Sequence, residues 1–287
     1  MADGQWLRVN GIIYRMTQGD LLHKIYSRLR CHFGYTPRWW PGSPMEIFVT
    51  AVLVQQCDWS QAWDASQRLK GEKLLRFSSL MDATQEQVES LIRPVAFSPT
   101  KAKRLVEIAS QLVRRGYDSV EPMLDAARET DAVRSELLSL PGIGEETADC
   151  ILLYAGKRPV FVVDAYTRRA FSRLIAAHPG RRDFWQTGSY KLLQKFFETS
   201  LRSAMGHFEE FELDPAVAPM VGICRDYHAQ IVELAKHHCL RTRPRCEARG
   251  VSGWKGYFFC EKHCPMETCD ACPLVEMCPS GRKTSGT

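Results

Sequence analysis

Leu140-Pro141-Gly142-Ile143-Gly144-Glu145-Glu146-Thr147-Ala148-Asp149 is a glycine turn set between two helical patterns. Before it, residues 131–140 carry Val133, Leu137 and Leu138 at helical spacing. Pro141 and Gly142 end that pattern. After it, residues 145–155 place Ala148, Ile151, Leu152 and Ala155 on one face. Glycines at 142 and 144 permit positive φ and keep side chains out of the way of an approaching backbone. The amides of the turn and of the second helix's first turn would then face outward, where free N–H groups and partial positive charge favour an anion such as a phosphate. The same residues also suit an ordinary αα-turn with a glycine C-cap, and Glu145 and Glu146 weaken any phosphate field. The turn alone leaves both readings open.

Composition narrows the class. The chain has 287 residues, 45% of them hydrophobic, enough for one large or two small cored domains. No apolar run approaches the ~18 residues of a membrane span, and the N-terminus has no apolar signal segment. A cytoplasmic location is expected. The net charge is +5 and the pI about 8.6, compatible with nucleic acid without being diagnostic. Basic clusters recur at Lys101, Lys103 and Arg104, at Arg168, Arg169 and Arg173, and at Arg241, Arg243 and Arg245. Strand patterns are scarce, so the spacing predicts an all-α fold. Helical patterns cover 21–33, 45–56, 59–70, 73–81, 85–92, 101–115, 119–127, 166–177, 183–199 and 226–238, besides the pair flanking the turn. Residues 1–18 read as a strand or irregular arm, and 280–287, small and polar, as a disordered tail.

Cysteines are unevenly spread. Cys31, Cys57, Cys150 and Cys224 are scattered, whereas seven crowd between Cys239 and Cys278. Without a secretion signal, such crowding points to metal rather than disulfides.

Beyond the turn comes Phe161-Val162-Val163-Asp164, an apolar run ending in a carboxylate before a helical pattern. Asp164 has the composition of an N-cap. A glycine turn, this aspartate and the cysteine tail together resemble the helix-hairpin-helix DNA glycosylases of the endonuclease III superfamily. Trp39-Trp40-Pro41, followed by Val52-Leu53-Val54-Gln55-Gln56, resembles the monofunctional 3-methyladenine branch. The resemblance spans nearly the whole chain beyond the arm, apart from one insertion.

The resemblance implies two helical lobes with the active site between them. Residues 45–160 would form a barrel carrying the hairpin (131–155). Residues 19–44 and 161–238 would form the lobe bearing the catalytic Asp164, and 239–279 a cluster loop. It implies a base-excision DNA glycosylase, monomeric, acting on double-stranded DNA that contains a damaged base. Gly142, Gly144 and Thr147 would grip the backbone, Gln55 would fill the gap left by the flipped base, and Phe97-Ser98-Pro99 would wedge into the opposite strand. Trp39, Trp40, Trp59 and Lys236 would line the base pocket. Stacking suits a flipped base, and electron-rich faces attract a cationic alkylated purine.

Position 146 departs from endonuclease III itself, where the resemblance puts a nucleophilic lysine. A lyase needs an amine to form a Schiff base, and Glu146 has none, so a monofunctional enzyme is expected. Glycosylases for uracil, mismatched thymine or oxidised pyrimidines, and a non-catalytic damage sensor, remain competing readings.

For the tail, the resemblance implies a [4Fe-4S] cluster on a Cys-x6-Cys-x2-Cys-x5-Cys loop. Cys239, Cys269, Cys272 and Cys278 are the favoured ligands, with Cys246 competing for the second place because Cys239-x6-Cys246 has the family spacing. Cys246, Cys260, His263 and Cys264 have donor types that could hold a second metal, zinc, or be merely structural.

Overall fold

The structure, a computed structural model, describes residues 5–9, 12–175, 181–246 and 271–279. Two strands, β1 (Gln5–Val9) and β2 (Ile12–Met16), form an antiparallel hairpin with Gln5 opposite Met16. Helices follow: α1 (Gln18–Phe33), α2 (Pro44–Leu53), α3 (Trp59–Gly71), α4 (Phe77–Asp82), α5 (Gln85–Ile92), α6 (Ser98–Arg114), α7 (Thr130–Leu138), α8 (Glu145–Cys150), α9 (Ala165–Leu174), α10 (Arg181–Thr187), α11 (Tyr190–Ser203) and α12 (Pro219–His237). Apart from the hairpin the fold is all-α. The chain divides into two compact units, Trp40–Val160 and a second made of Met1–Trp39 with Phe161–Thr287.

In the central unit, α2 is apolar nearly all round, with Ile47, Phe48, Val49, Val52 and Leu53 buried. Such a helix belongs inside a core. Ser43 starts it with a capping box: its hydroxyl takes the Glu46 amide at 3.3 Å, and Glu46 takes the Ser43 amide at 2.9 Å. α6 lays Leu105, Ile108 and Leu112 inward. After α8 the backbone widens into one π-helical stretch, Ile151–Ala155, a form that recurs at functional positions.

In the other unit, Phe161 stacks on Phe197 with centroids 3.9 Å apart, and Phe171 packs on Trp185 at 4.9 Å. α12 is buried along most of its length, polar residues included. Asp226 accepts from Tyr26 Oη and Thr36 Oγ1, both at 2.5 Å, and from the Thr36 amide and Arg30 at 3.0 Å. These donors satisfy a carboxylate that is otherwise costly to bury, and they tie the start of the 34–39 loop to the helix.

Three local expectations fail. Residues 119–127 form turns rather than a helix: Pro122 cannot donate to a helical ladder, and the Ala127 amide turns back to Asp125 Oδ1 at 2.8 Å. The single helix expected over 183–199 is two, α10 and α11. Ser189 caps α11 by accepting the Leu192 amide, while Arg168 Nη1 donates to the Gly188 carbonyl at 2.8 Å. Finally, α12 begins at Pro219, well before 226, with proline at its first position.

Candidate functional site

In the central unit the hairpin between α7 and α8 is built as the glycines require, though only once by positive φ. Gly142 has φ +74, and a Cβ there would run into the Arg104 side chain. Gly144 has φ −92 and ψ −179, ordinary extended backbone, so it does not use the positive φ that a glycine permits. A Cβ at 144 would meet open space, which leaves room for an approaching group. Glu146 is exposed and Thr147 half-buried in the first turn of α8. Arg134 grips buried Asp149 through Nε at 2.8 Å and Nη2 at 3.1 Å, bracing the two hairpin helices.

Gln55 is tied to this hairpin. Its Nε2 donates to the Gly142 carbonyl at 3.0 Å and to Thr147 Oγ1 at 3.1 Å, and its Oε1 accepts from Arg104 at 3.2 Å. Lys101 is buried and donates to the Leu53 and Gln55 carbonyls at 2.8 and 2.6 Å. The adjoining Gln56 is exposed with φ +54. Phe97 is 64% exposed at φ +60, while Ser98 beside it is buried. An exposed phenylalanine held in the left-handed region is an uncommon, strained arrangement.

The two tryptophans of Trp39-Trp40 fall in different units. In the central one, Trp40 donates Nε1 to Thr50 Oγ1 at 2.9 Å and leans on Tyr154, from the π-helical stretch, at 5.1 Å. Trp59 stacks on Trp63 with centroids 5.5 Å apart and planes at 12°. Tyr154 and Trp63 were not singled out from the sequence, and Arg104 stood there only in a basic cluster. The i, i+4 spacing of Trp59 and Trp63 was the available signal for one of them.

In the other unit, Asp164 caps α9: its Oδ1 accepts the Thr167 amide at 2.6 Å. Oδ2 lies 3.6 Å from His228 Nε2 on α12. The residue is buried, 7% exposed. Burial favours its neutral form, but the interaction with His228, with the Thr167 amide, outweighs that and holds its pKa below the ordinary value. Trp39 packs against His228, centroids 5.7 Å apart at 85°, and its Nε1 donates to Glu233 Oε1 at 2.6 Å. Lys236 is half-buried in the last turn of α12. His228 and Glu233 went unnoticed in the sequence.

Cys239, Cys246, Cys272 and Cys278 line one cavity beside α9. The Cys272 amide donates to the Cys246 carbonyl at 3.3 Å, and Arg173 Nη1 to Cys239 Sγ at 3.1 Å. Burial, with the surrounding thiols of Cys246, Cys239 and Cys278, pushes Cys272 up to about 12. Among the described residues no group of His, Cys, Asp and Glu is close enough to hold a single metal ion. Cys269, Cys260, His263 and Cys264 lie outside the described residues.

A helix-hairpin-helix with a downstream aspartate on a helix N-terminus, on an all-α scaffold, defines a class of base-excising DNA repair protein. The chain belongs to that class: residues 49–185 match the HhH-GPD superfamily of base excision DNA repair proteins. Over 91% of this chain and 97% of its own length, MJ1434 of Methanocaldococcus jannaschii is 33% identical; its name assigns it provisionally to the DNA repair glycosylases. A non-covalent endonuclease III–DNA complex superposes with TM-score 0.64 at 19% identity, covering 95% of this chain and all of that one. The 3-methyladenine DNA glycosylase MagIII of H. pylori, bound to 1,N6-ethenoadenine, superposes with TM-score 0.59 at 26% identity, covering 76% of this chain and 97% of that one. The protein is a member of this family of DNA repair glycosylases. No helix among the described residues is long and apolar enough to cross a membrane.

Proposed function

We propose that the protein is a monofunctional glycosylase that hydrolyses the N-glycosidic bond of an alkylated purine, of the 3-methyladenine kind, and leaves the abasic strand uncut. The observation that carries this reading is Glu146 in the first turn of α8. A carboxylate cannot condense with a sugar aldehyde, so the Schiff-base route to strand cleavage has no nucleophile there.

In this account Asp164 is the catalytic carboxylate. Departure of the base leaves oxocarbenium character on the sugar. An ionised, rigidly capped carboxylate stabilises that charge and orients the attacking water. The depressed pKa keeps Asp164 ionised at neutral pH. A cationic alkylated purine is already a good leaving group and gains from aromatic faces, which Trp39 and Trp40, with Trp59 beside Trp63, would supply. The likeness to MagIII supports that choice of base. The hairpin at Gly142 and Gly144, with Thr147, would seat a phosphate; Gln55 and Phe97, beside Ser98, would serve the flipped-out gap and the opposite strand.

The cysteine cavity offers thiolate donors of the kind an iron–sulfur cluster takes. Among the described residues, the thiols that line it are Cys239, Cys246, Cys272 and Cys278. We assign these to a [4Fe-4S] cluster, with Cys246 in the place first given to Cys269. When bound, the cluster would cross-link the end of α12 to 272–278 and carry a one-electron couple.

The test is a panel of duplexes, each bearing one lesion: an alkylated purine, uracil, thymine opposite guanine, or an oxidised pyrimidine. Mass spectrometry of the released base should find alkylated purines. Release of uracil or thymine alone would overturn the substrate class.

A further inference from the structure

Both oxygens of Asp164 have neighbours within the protein. Its Oδ1 is committed to the Thr167 amide at 2.6 Å. Oδ2 is buried with His228 Nε2 as its ionisable neighbour, 3.6 Å away. That separation is within ion-pair range but longer than a hydrogen bond. Such contacts at reacting carboxylates commonly tighten when substrate binds.

His228 is itself held in place. It is 3% exposed, on the buried stretch of α12, and the Trp39 ring stands edge-on to it at 5.7 Å. Trp39 in turn is pinned through Nε1 to Glu233, on the same helix. A buried imidazole set between a carboxylate and an aromatic ring has little freedom to turn away.

We propose that His228 is a positioning residue for the reaction: its Nε2–H holds Asp164 Oδ2, fixing the carboxylate's direction and its ionised state, while its ring carries the Trp39 indole. The proton stays on the imidazole throughout. His228 acts through Asp164 and touches no substrate, and the proposal rests on Asp164 being the catalytic carboxylate.

A second consequence separates this role from mere packing. The hydrogen bond comes from one atom, so a side chain that places a donor there restores it, whatever its shape. The glutamine amide reaches the Nε2 position of histidine; the asparagine amide reaches only the Nδ1 position. Both substitutes are polar and smaller than or close to histidine in size, so folding affects the pair alike.

The experiment compares wild type, His228→Gln and His228→Asn by two readouts. The first is the single-turnover rate constant for base release, set beside affinity for DNA containing a tetrahydrofuran abasic analogue. His228→Asn should lose about 10- to 100-fold in rate, the worth of one hydrogen bond to a charged group, with binding within about 2-fold. His228→Gln should keep most of the rate. Equal rates in all three proteins, or equal losses in both variants, would overturn the proposal. The second readout needs no activity. In 13C-carboxyl-aspartate protein, the resonance missing from Asp164→Asn reports Asp164 itself. Its titration midpoint should rise in His228→Asn and return toward wild type in His228→Gln; an unmoved midpoint overturns the proposal. If the midpoint moves but Asp164→Asn still releases base at full rate, the pairing stands and the catalytic reading of Asp164 fails instead.

Discussion

Trp39 gives its indole N–H to Glu233 at 2.6 Å, so a residue first noticed as half of an aromatic pair is anchored to α12. Its sequence neighbour Trp40 is anchored to Thr50, in the other unit. Adjacent tryptophans therefore have separate supports and separate sensitivities.

Glu233→Ala should orphan the Trp39 indole N–H and remove a charge-assisted bond from a buried site. The expected loss is about 1.5–3 kcal/mol of unfolding free energy, read by urea denaturation. Base release should fall with it, because the ring is no longer fixed. Unchanged stability together with unchanged rate would show that the bond does not hold Trp39.

Asp164→Asn should lower base release at least about 100-fold, the scale on which one electrostatic stabiliser is removed, while affinity for abasic DNA persists. The pH dependence follows from the sign of its shift. The folded pKa lies below the ordinary value, so the group is ionised at neutral pH and stays so as pH falls through the usual carboxylate range near ~3.9. The stability it contributes is present above the unfolded pKa and is lost only as pH falls through the lower, folded one. Single-turnover rates should therefore stay level from pH 7 to about 5; an acid limb centred near pH 6 would contradict this.

Cys246→Ser should abolish the brown absorbance near ~400 nm and most of the bound iron, by removing one of four cluster thiolates. Cys269→Ser should leave both in place. Iron analysis giving the reverse pattern would return Cys269 to the cluster.

Glu46 offers a stability test away from the chemistry. Burial opposes its ionisation, but the Ser43 amide, Gln67 and Lys70 outweigh that and bring it to about 2. Glu46→Gln should cost about 1–3 kcal/mol at pH 7. Because the folded pKa is the lower one, that difference is full above the unfolded value of about 4.3 and vanishes as pH falls toward 2. A gap that persists at pH 2 would mean that packing rather than charge carries it.

The parts of the site legible in the sequence were those written locally. Pro141 and Gly142 punctuate the hairpin, and Asp164 stands at the junction of an apolar run and a helix. Their geometry is set by neighbours a few residues away. His228 and Glu233 were not legible because α12 is buried nearly all round, so its polar positions lack the periodicity that marks a face. Their meaning lies in partners as distant as Trp39, 194 positions earlier. The division of 183–199 was hidden because one apolar pattern runs on through Gly188 and Ser189. The cysteine spacing allowed either Cys246 or Cys269, since an insertion can enter either gap of the loop. The proposal of Cys246 rests on the cavity that it lines with Cys239, Cys272 and Cys278, while Cys269 lies outside the described residues.

The central claim is that base release here proceeds without an amine nucleophile, and borohydride trapping tests it most directly. The enzyme is incubated with a duplex containing an alkylated purine, with borohydride present, and resolved on a denaturing gel beside alkali-treated and untreated DNA. The account predicts strand breaks only after alkali and no protein–DNA adduct, for wild type and for Glu146→Gln alike. Glu146→Lys should yield an adduct if that position faces the sugar. An efficient adduct with the wild-type protein, or strand cleavage without alkali, would contradict the account and require a lysine nucleophile elsewhere in the chain.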